Sequence, residues 1–263
     1  MGEALLSRLI AKKIYKAPEI LISEPQSDRR NFLQQQYGVE VTAENRRILL
    51  GTSVILLAVK PQIFEAIALE LTEAIAILNH ESSPLPLVIS ILAGVPLSKL
   101  EAACPHQPII RAMPNTPATV GAGVTAIALG TNTNEIHKQA AEKLFCAVGE
   151  VVEVPETLMD AVTGLSGSGP AYVAVLVEAL ADGGVAAGLP RAIALQLALQ
   201  TVKGTAQLMQ EKSIHPAELK DRVTSPGGTT IAGVAALESA GFRSALIQAV
   251  IAATERSREL GNG

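Results

Sequence analysis

The sequence predicts an α/β fold followed by an all-helical part, on three observations. Strand-like apolar runs alternate with helical ones as far as Pro155, the pattern of a parallel sheet covered by helices. Beyond Pro155 the strand signals stop, and helices continue, broken by SGSGP, GG, GLP and SPGG. The chain also opens on a helix, Met1-Gly2-Glu3-Ala4, where a doubly wound sheet opens on a strand. The domain boundary is placed near Pro155, giving parts 1–155 and 156–263.

Each element follows from its apolar spacing. Short Val/Ile/Leu runs bounded by turn residues read as strands, and longer runs with apolar residues three and four apart read as helices. Helix Glu3–Ile14 comes first, then strand Glu19–Ser23, helix Arg29–Tyr37 and strand Val39–Thr42. Strand Val54–Val59, helix Gln62–Leu78, strand Leu87–Leu92, helix Leu97–Ala103 and strand Ile109–Ala112 continue the alternation. Two shorter strands, Thr125–Leu129 and Val151–Val154, flank helix Asn134–Ala147. This is the layout of a Rossmann-like dinucleotide-binding domain lacking its first strand. Such a domain begins with a strand and a G-x-G-x-x-G/A turn, and Gly2 stands where the last small residue of that turn belongs. The strand and two further glycines are expected upstream, as though this chain started at an internal methionine. Because the first strand is central, its loss leaves two inner sheet edges without backbone partners. A pyrophosphate would then meet only the start of helix Glu3–Ile14, with much weaker binding than a glycine cradle gives.

The composition excludes several classes. With 48% hydrophobic and 17% charged residues, a net charge of −4 and a mean hydropathy of +0.32, the chain of 263 residues reads as a compact soluble protein. It has no Trp and no basic patch with interleaved aromatics, so nucleic acid is not an expected partner. The apolar helix Ala171–Leu189 is interrupted by Glu178, Asp182 and a glycine pair, which argues against a membrane span. No secretory signal precedes the first helix, and Cys104 and Cys146 form no close pair, so a reducing cytoplasm is the expected compartment. His80, His106, His137 and His215 show no ligand spacing; no metal is expected, and each reads as a surface or loop residue.

A dinucleotide in such a sheet lies at the carboxyl ends of the strands. Ser23, Ala58 to Pro61, Ala93 and Met113 to Thr116, with Met113 and Asn115 among them, all stand there. Lys60-Pro61 taken alone reads equally as a strand stop. The strand ending Ser23-Glu24-Pro25 is followed by Arg29-Arg30. An acid at that strand end would hold the ribose of NAD, whereas Ser with Arg suits the 2′-phosphate of NADP. NADPH is the favoured cofactor and NADH a possible one; the alternative makes Arg29 and Arg30 a solvated helix start.

In the second part, Ala192 to Met209 is apolar on nearly every face, so it is expected to be enclosed from all sides. About a hundred residues cannot bury this alone, which points to an intertwined dimer. SGSGP reads as a linker or a tight helix-to-helix corner, and its place between AVTGL and AYV favours the corner. Asp182 reads as a helix-end carboxylate bonded to backbone.

The most informative stretch is Pro216 to Glu238, where the turn Pro226-Gly227-Gly228 opens onto Thr229-Thr230 and the apolar positions Ile231, Val234, Ala235 and Leu237. Free N–H groups at a helix start attract a carboxylate or phosphate, and Ser225, Thr229 and Thr230 add hydroxyl donors. The same hydroxyls read equally as N-caps.

This stretch, Val-Thr-Ser-x-Gly-Gly-x-Thr included, resembles the signature of Δ1-pyrroline-5-carboxylate reductases. Ala58-Val59-Lys60-Pro61, Arg111-Ala112-Met113-Pro114-Asn115-Thr116-Pro117, Asp160 to Tyr172, and Leu180-Ala181-Asp182-Gly183-Gly184-Val185 are similar to the same family and run in its order. The resemblance implies NADPH-dependent reduction of a small cyclic imine carboxylate to L-proline. It implies that Ala58, Val59, Lys60 and Pro61 border the cofactor and that Asn45 reaches its adenosine end. Thr230 would hydrogen-bond the imine nitrogen, with Ser225, Gly227, Gly228 and the N–H groups of Thr229 and Thr230 around the carboxylate. A homodimer, building larger assemblies and sharing its site between chains, is implied as well. Rival readings are a related imine or hydroxyacid reductase, which the lack of a clear catalytic Lys disfavours, and a truncated, non-catalytic oligomerising protein.

Overall fold

A computed structural model describes residues 1–49, 52–78 and 85–262, so His80 lies outside the described residues. The chain divides into two compact units, Met1–Gly167 with Ala253–Gly263, and Ser168–Ala252.

The first unit is built from helix α1 (Gly2–Ala11), strand β1 (Leu21–Ser23), helix α2 (Ser27–Tyr37), strand β2 (Glu40–Thr42) and the short helix α3 (Arg46–Leu49). Then come β3 (Val54–Leu57), α4 (Phe64–Leu78), β4 (Leu87–Ser90), α5 (Leu97–Ala103), β5 (Ile109–Pro114), β6 (Gly123–Leu129), α6 (Glu135–Phe145), β7 (Gly149–Glu153) and the single turn α7 (Met159–Val162). All seven expected strands form. Helix α3 is an addition to the expected list, too short to leave a periodic signal.

The strands fall into two sheets, β1-β2 and β3-β4-β5-β6-β7. Every pair is parallel except β5 with β6, which departs from an all-parallel expectation because a short connection returns the chain antiparallel. Glu40 N–H donates to Ile20 O and Glu24 N–H to Thr42 O, so the even residues of β1 face β2 and the amides of Leu21 and Ser23 face away. Likewise Leu87 N–H donates to Ser53 O and Ile91 N–H to Leu57 O, which turns the backbone of Val54 and Leu56 away from β4. Among the described residues, β1 and β3 each stand at an edge of their own sheet, the inner edges of the expected doubly wound order.

Helix α1 bridges the two sheets. Leu5 and Leu9 are buried with Ile89, Ile110 and Phe145 on the five-stranded side, and Leu6 with Leu33 and Val39 on the other. At roughly 2 kcal/mol per fully buried leucine, these three side chains are a large part of what joins them. The opposite face of the larger sheet buries Ile55, Leu57, Val88, Leu100 and Ile109. Three histidines take local roles: His106 sits at φ 69°, His137 Nδ1 accepts from Asn134 N–H, and His215 Nδ1 accepts from Ala217 N–H.

After α7, Thr163–Gly167 forms a π-turn that leads directly into α8 (Gly169–Ala186) of the second unit. SGSGP is therefore not a helix-to-helix corner. The hydroxyls of Thr163 and Ser166 donate back to Met159 O and Val162 O, which keeps the chain helical through its glycines. The second unit continues with α9 (Arg191–Lys212), α10 (Pro216–Arg222), α11 (Thr229–Ser239) and α12 (Phe242–Asn262), whose residues from Ala253 onward belong to the first unit. The glycine pair does not break α8: a Cβ on Gly184 would come within 3.1 Å of Ala194 Cβ, so its bare backbone admits α9 at close range. Asp182 pairs with Arg191 at 2.5 Å rather than with backbone.

Ala192 to Met209 is not enclosed within one chain. Only Ala194 and Ala198 of α9 are buried, whereas Leu197 and Leu199 are each 52% exposed. By length and composition alone, the helical run Glu156–Ala186 is apolar enough to cross a membrane.

Candidate functional site

The carboxyl ends of β1 and β3 gather several of the expected cofactor residues. Gly2 opens α1, whose N-cap Met1 supplies no side-chain cap, so the first amides are open to an anion. A Cβ on Gly2 would lie 3.1 Å from the Cβ of Ala58, so the start of α1 and the end of β3 meet closely enough that a side chain here would press on Ala58. Val59 packs on the core below, Lys60 is exposed at the head of a 3₁₀ turn, and Pro61 is its first residue. At the end of β1, Ser23 Oγ donates to Asn45 Oδ1 at 2.6 Å, and Asn45 Nδ2 donates to Glu70 Oε2 at 3.0 Å.

The two arginines are not free cations. Arg29 donates to Glu3 Oε2 at 2.5 Å and stacks on Phe32 with 5.0 Å to the ring centroid. Tyr37 OH donates to the other Glu3 oxygen at 2.8 Å. The hydrogen bonds from Arg29 and Tyr37 hold the Glu3 carboxyl below its ordinary range. Arg30 instead clamps the loop, donating to the carbonyls of Glu24 and Pro25 at 2.7 Å each. Glu24 accepts from Gln26 N–H at 3.0 Å, which engages its carboxylate in the turn.

Ala93 is exposed in the loop after β4. Met113 is half-buried at the end of β5, and its Cε would lie 2.7 Å from a Cβ on Gly167, so the π-turn lies directly on it. Asn115 is buried with both ends of its amide in use: Oδ1 accepts from Val124 N–H at 3.0 Å and Nδ2 donates to Ser166 O at 3.2 Å. Its side chain thus braces β5 to β6 and to the π-turn.

Arg111 heads the family-like stretch Arg111 to Pro117 with no role assigned to it from sequence, and Glu156 carried no sequence signal. Arg111 lies in β5 with its side chain 8% exposed and donates to Glu156 Oε1 at 3.1 Å. The same oxygen accepts from Leu97 N–H at 2.5 Å. A charge inside the apolar strand Ile109–Pro114 was the available signal, since a buried guanidinium requires an acid.

The anion-binding candidate forms in the second unit. Gly227 has φ +67°, in the left-handed region glycine favours, and Gly228 is the N-cap of α11. No side chain caps this helix, so the N-cap reading of Ser225, Thr229 and Thr230 is set aside. Ser225 O accepts from Gly228 N–H at 3.1 Å, and a Cβ on Gly228 would lie 2.3 Å from Ser225 Oγ, which places that hydroxyl over the helix entrance. Thr229 is exposed and Thr230 half-buried, and the first amides of an eleven-residue helix face outward with their dipole favouring an anion.

Known proteins repeat both units. Residues 156–260 match the family model described as pyrroline-5-carboxylate reductase dimerisation, and residues 1–94 match NADP oxidoreductase, coenzyme F420-dependent. A Plasmodium falciparum pyrroline carboxylate reductase solved with NADP bound superposes with a TM-score of 0.86 at 31% identity, over 99% of this chain and 94% of that one. A pyrroline-5-carboxylate reductase structure from Coxiella burnetii reaches a TM-score of 0.90 at 34% identity, over 98% of this chain and 94% of that one. The pyrroline-5-carboxylate reductase of Synechocystis is 58% identical over 99% of this chain and 95% of its own length. An identity that high along nearly the whole of both sequences carries more than a shared fold, and the chain belongs to the pyrroline-5-carboxylate reductase family.

Proposed function

We propose that this protein reduces 1-pyrroline-5-carboxylate to L-proline, the last step of proline biosynthesis, with NADPH as the favoured hydride donor and NADH as a possible one. The observation that carries the reading is the uncapped start of α11 behind Ser225-Pro226-Gly227-Gly228, a place for a small carboxylate in a chain of this family.

The cofactor residues fit a dinucleotide, since the open start of α1 meets Ala58 through a glycine and Ser23 is already oriented by Asn45. Gly2 and the α1 amides would hold the pyrophosphate. Ser23 would hold the 2′-phosphate by turning its hydroxyl from Asn45 Oδ1 to a phosphate oxygen, with Arg29 contributing as its pairing with Glu3 allows. Asn45 would border the adenosine end, and Ala58, Val59, Lys60, Pro61, Ala93 and Met113 would line the strand edge. Asn115 shapes that edge through its internal bonds. When bound, the nicotinamide supplies a hydride.

The chain's own groups do the rest. Ser225 Oγ and the amides of Thr229 and Thr230 orient the carboxylate, with Gly227 and Gly228 keeping the approach clear. Thr230 Oγ1 donates a hydrogen bond to the imine nitrogen, which gains electron density as the hydride reaches the neighbouring carbon and must take up a proton. Orientation contributes more here than acid–base chemistry, because a bound imine is already reactive.

Residues 1–155 would serve the cofactor, and residues 156–263 the substrate and the pairing of two chains. The exposed leucines of α9 support an intertwined homodimer, and the same pairing would cover the apolar run Glu156–Ala186. The two cysteines are free, Cys104 buried and Cys146 exposed, which supports placing the enzyme in a reducing cytoplasm.

The deciding experiment follows NADPH consumption with pyrroline-5-carboxylate, on this chain and on one extended upstream by a strand and a G-x-G turn. Turnover in either form supports the reading, and faster turnover in the extended form assigns the inner edges of β1 and β3 to that strand. No turnover in either would instead favour a non-catalytic oligomerising protein.

A further inference from the structure

We propose that Glu156 is a positioning residue, whose one carboxylate oxygen fixes the end of the loop after β4 and the centre of β5, and through β5 the residues that follow it at the cofactor edge. The inference rests on that edge being the dinucleotide edge. Glu156 Oε1 accepts from Leu97 N–H at 2.5 Å and from Arg111 Nη1 at 3.1 Å. Leu97 is the first residue of α5, and its N-cap is Pro96, which offers no capping side chain. The acid therefore reaches in from a distant part of the chain to cap that helix, and so ends the loop Ala93–Pro96 at a fixed place.

Arg111 is the other anchor. It lies opposite Ser90 of β4 and Ala128 of β6, in the middle of the larger sheet, and it precedes Met113 by one period of the strand's alternation and Asn115 by two. A guanidinium this buried needs its acid, and without it β5 must shift or admit water. Asn115 carries the same constraint onward, since its amide joins Val124 N–H to Ser166 O. One oxygen thus ties the start of α5, the centre of β5 and the segment after Pro155 into a single node. No atom of Glu156 needs to touch cofactor or substrate for this role.

The test compares Glu156→Ala, Glu156→Gln and the double variant Glu156→Ala/Arg111→Met with the unaltered full chain. Amide hydrogen exchange is followed by peptide, and NADPH binding by equilibrium titration. In Glu156→Ala, exchange of amides within Val95–Leu100 and Met113–Thr116 should rise about tenfold while α2 and α6 keep their rates, as expected for a local opening. NADPH should bind about tenfold more weakly, because the loops are no longer held in place for it. Glu156→Gln keeps an oxygen for Leu97 N–H and should fall between. The double variant removes the unpaired buried charge, so it should fold even if Glu156→Ala does not, yet still show fast exchange at Val95–Leu100 and weakened NADPH.

Unchanged exchange in both loops, or a rise spread evenly through the first unit, would overturn the proposal. So would full NADPH affinity in the double variant. If the unaltered chain binds no NADPH at all, the functional reading fails, and the exchange pattern alone decides whether Glu156 positions these loops.

Discussion

The two units bury their apolar side chains in opposite ways. All four residues of β4 are buried, and Leu5, Leu100, Ile109, Ile110 and Phe145 around it have no measurable exposure. In the second unit the 22-residue helix α9 buries two alanines, while Val175 of α8 is 65% exposed. The first unit satisfies its hydrophobic pattern within one chain, and the second carries a pattern that a single chain leaves open. A monomer rarely keeps so much contiguous apolar helix in water, so the difference is what the proposed pairing of two chains has to account for.

The largest expected effect comes from charging that open face. Leu195→Glu with Leu199→Glu puts two carboxylates one helical turn apart on α9. In a two-fold interface each change counts twice, and four buried leucines at about 1.5 kcal/mol each remove about 6 kcal/mol of association. Light scattering should report the mass of one chain, with the thermal transition of the first unit retained. A dimeric mass after both changes would break the comparison.

Next in size is Thr230→Ala, expected to lower turnover about a hundredfold, as loss of one aimed donor does. Thr230→Ser should stay within a few fold. Because α11 has no side-chain cap, both variants should keep native helicity and mass. Loss of the dimer in both would return Thr230 to a capping role.

Gly228→Ala should act on the carboxylate alone. Its methyl would fall 2.3 Å from Ser225 Oγ, so that hydroxyl must swing away while the backbone stays in an ordinary conformation. KM for the imine should rise about tenfold, the value of one hydrogen bond to a charged group, with kcat changed less. Equal losses in kcat and kcat/KM would mean that Ser225 acts only in the transition state.

How far the sequence reached follows the same division. The seven strands were legible because Val, Ile and Leu runs between turn residues have one good solution in a covered sheet. Likewise, α9 was legible as apolar all round, and so much apolar helix in so small a unit already pointed to pairing with a second chain. Glycine misled twice. Gly183-Gly184 and SGSGP read locally as breaks, but the helix continues because Gly184 lets Ala194 approach and because Gly167 leaves room for Met113. Local propensity of about 1 kcal/mol per glycine is small beside such packing. At the site, Ser225 to Thr230 was visible from its turn chemistry. The bond from Arg111 to Glu156 spans 45 residues and leaves only the hint of a charge in an apolar strand. Arg29 was expected to be free for a phosphate, and its capture by Glu3 required the fold to bring α1 and α2 together.

That capture gives a smaller, pH-dependent effect. Glu3 is held below its ordinary value of 4.5 by Arg29 first and Tyr37 second, so its contribution is present above that value and is lost as pH falls through the lowered one. The pair is more than a third exposed, which limits the contribution to under about 1 kcal/mol. Urea midpoints of the unaltered chain and Glu3→Gln should differ slightly at neutral pH and converge in acid. Glu3→Gln should also release Arg29 and tighten NADPH relative to NADH. A gap that widens in acid would show that another carboxylate governs this edge.

The smallest effect tests whether the first unit is as closed as its burial says, given the inner edges of β1 and β3. Cys104 is buried beside Ile55, Leu57 and Val88, and burial pushes its thiol up to about 11. Cys146 is exposed at the end of α6. A maleimide at pH 7 needs thiolate and access together, and Cys104 offers neither. The native chain should take up label rapidly at Cys146, and Cys104 should react only after unfolding in urea. Rapid labelling of both would mean that water reaches the core through the edge of β3. The contrast between a finished unit and an open one would then fail at the finished end, because a sheet interrupted at its centre would be breathing as freely as the uncovered helices. Slow labelling at Cys104 that quickens in Leu5→Ala would locate the seal in α1, the helix that spans both sheets.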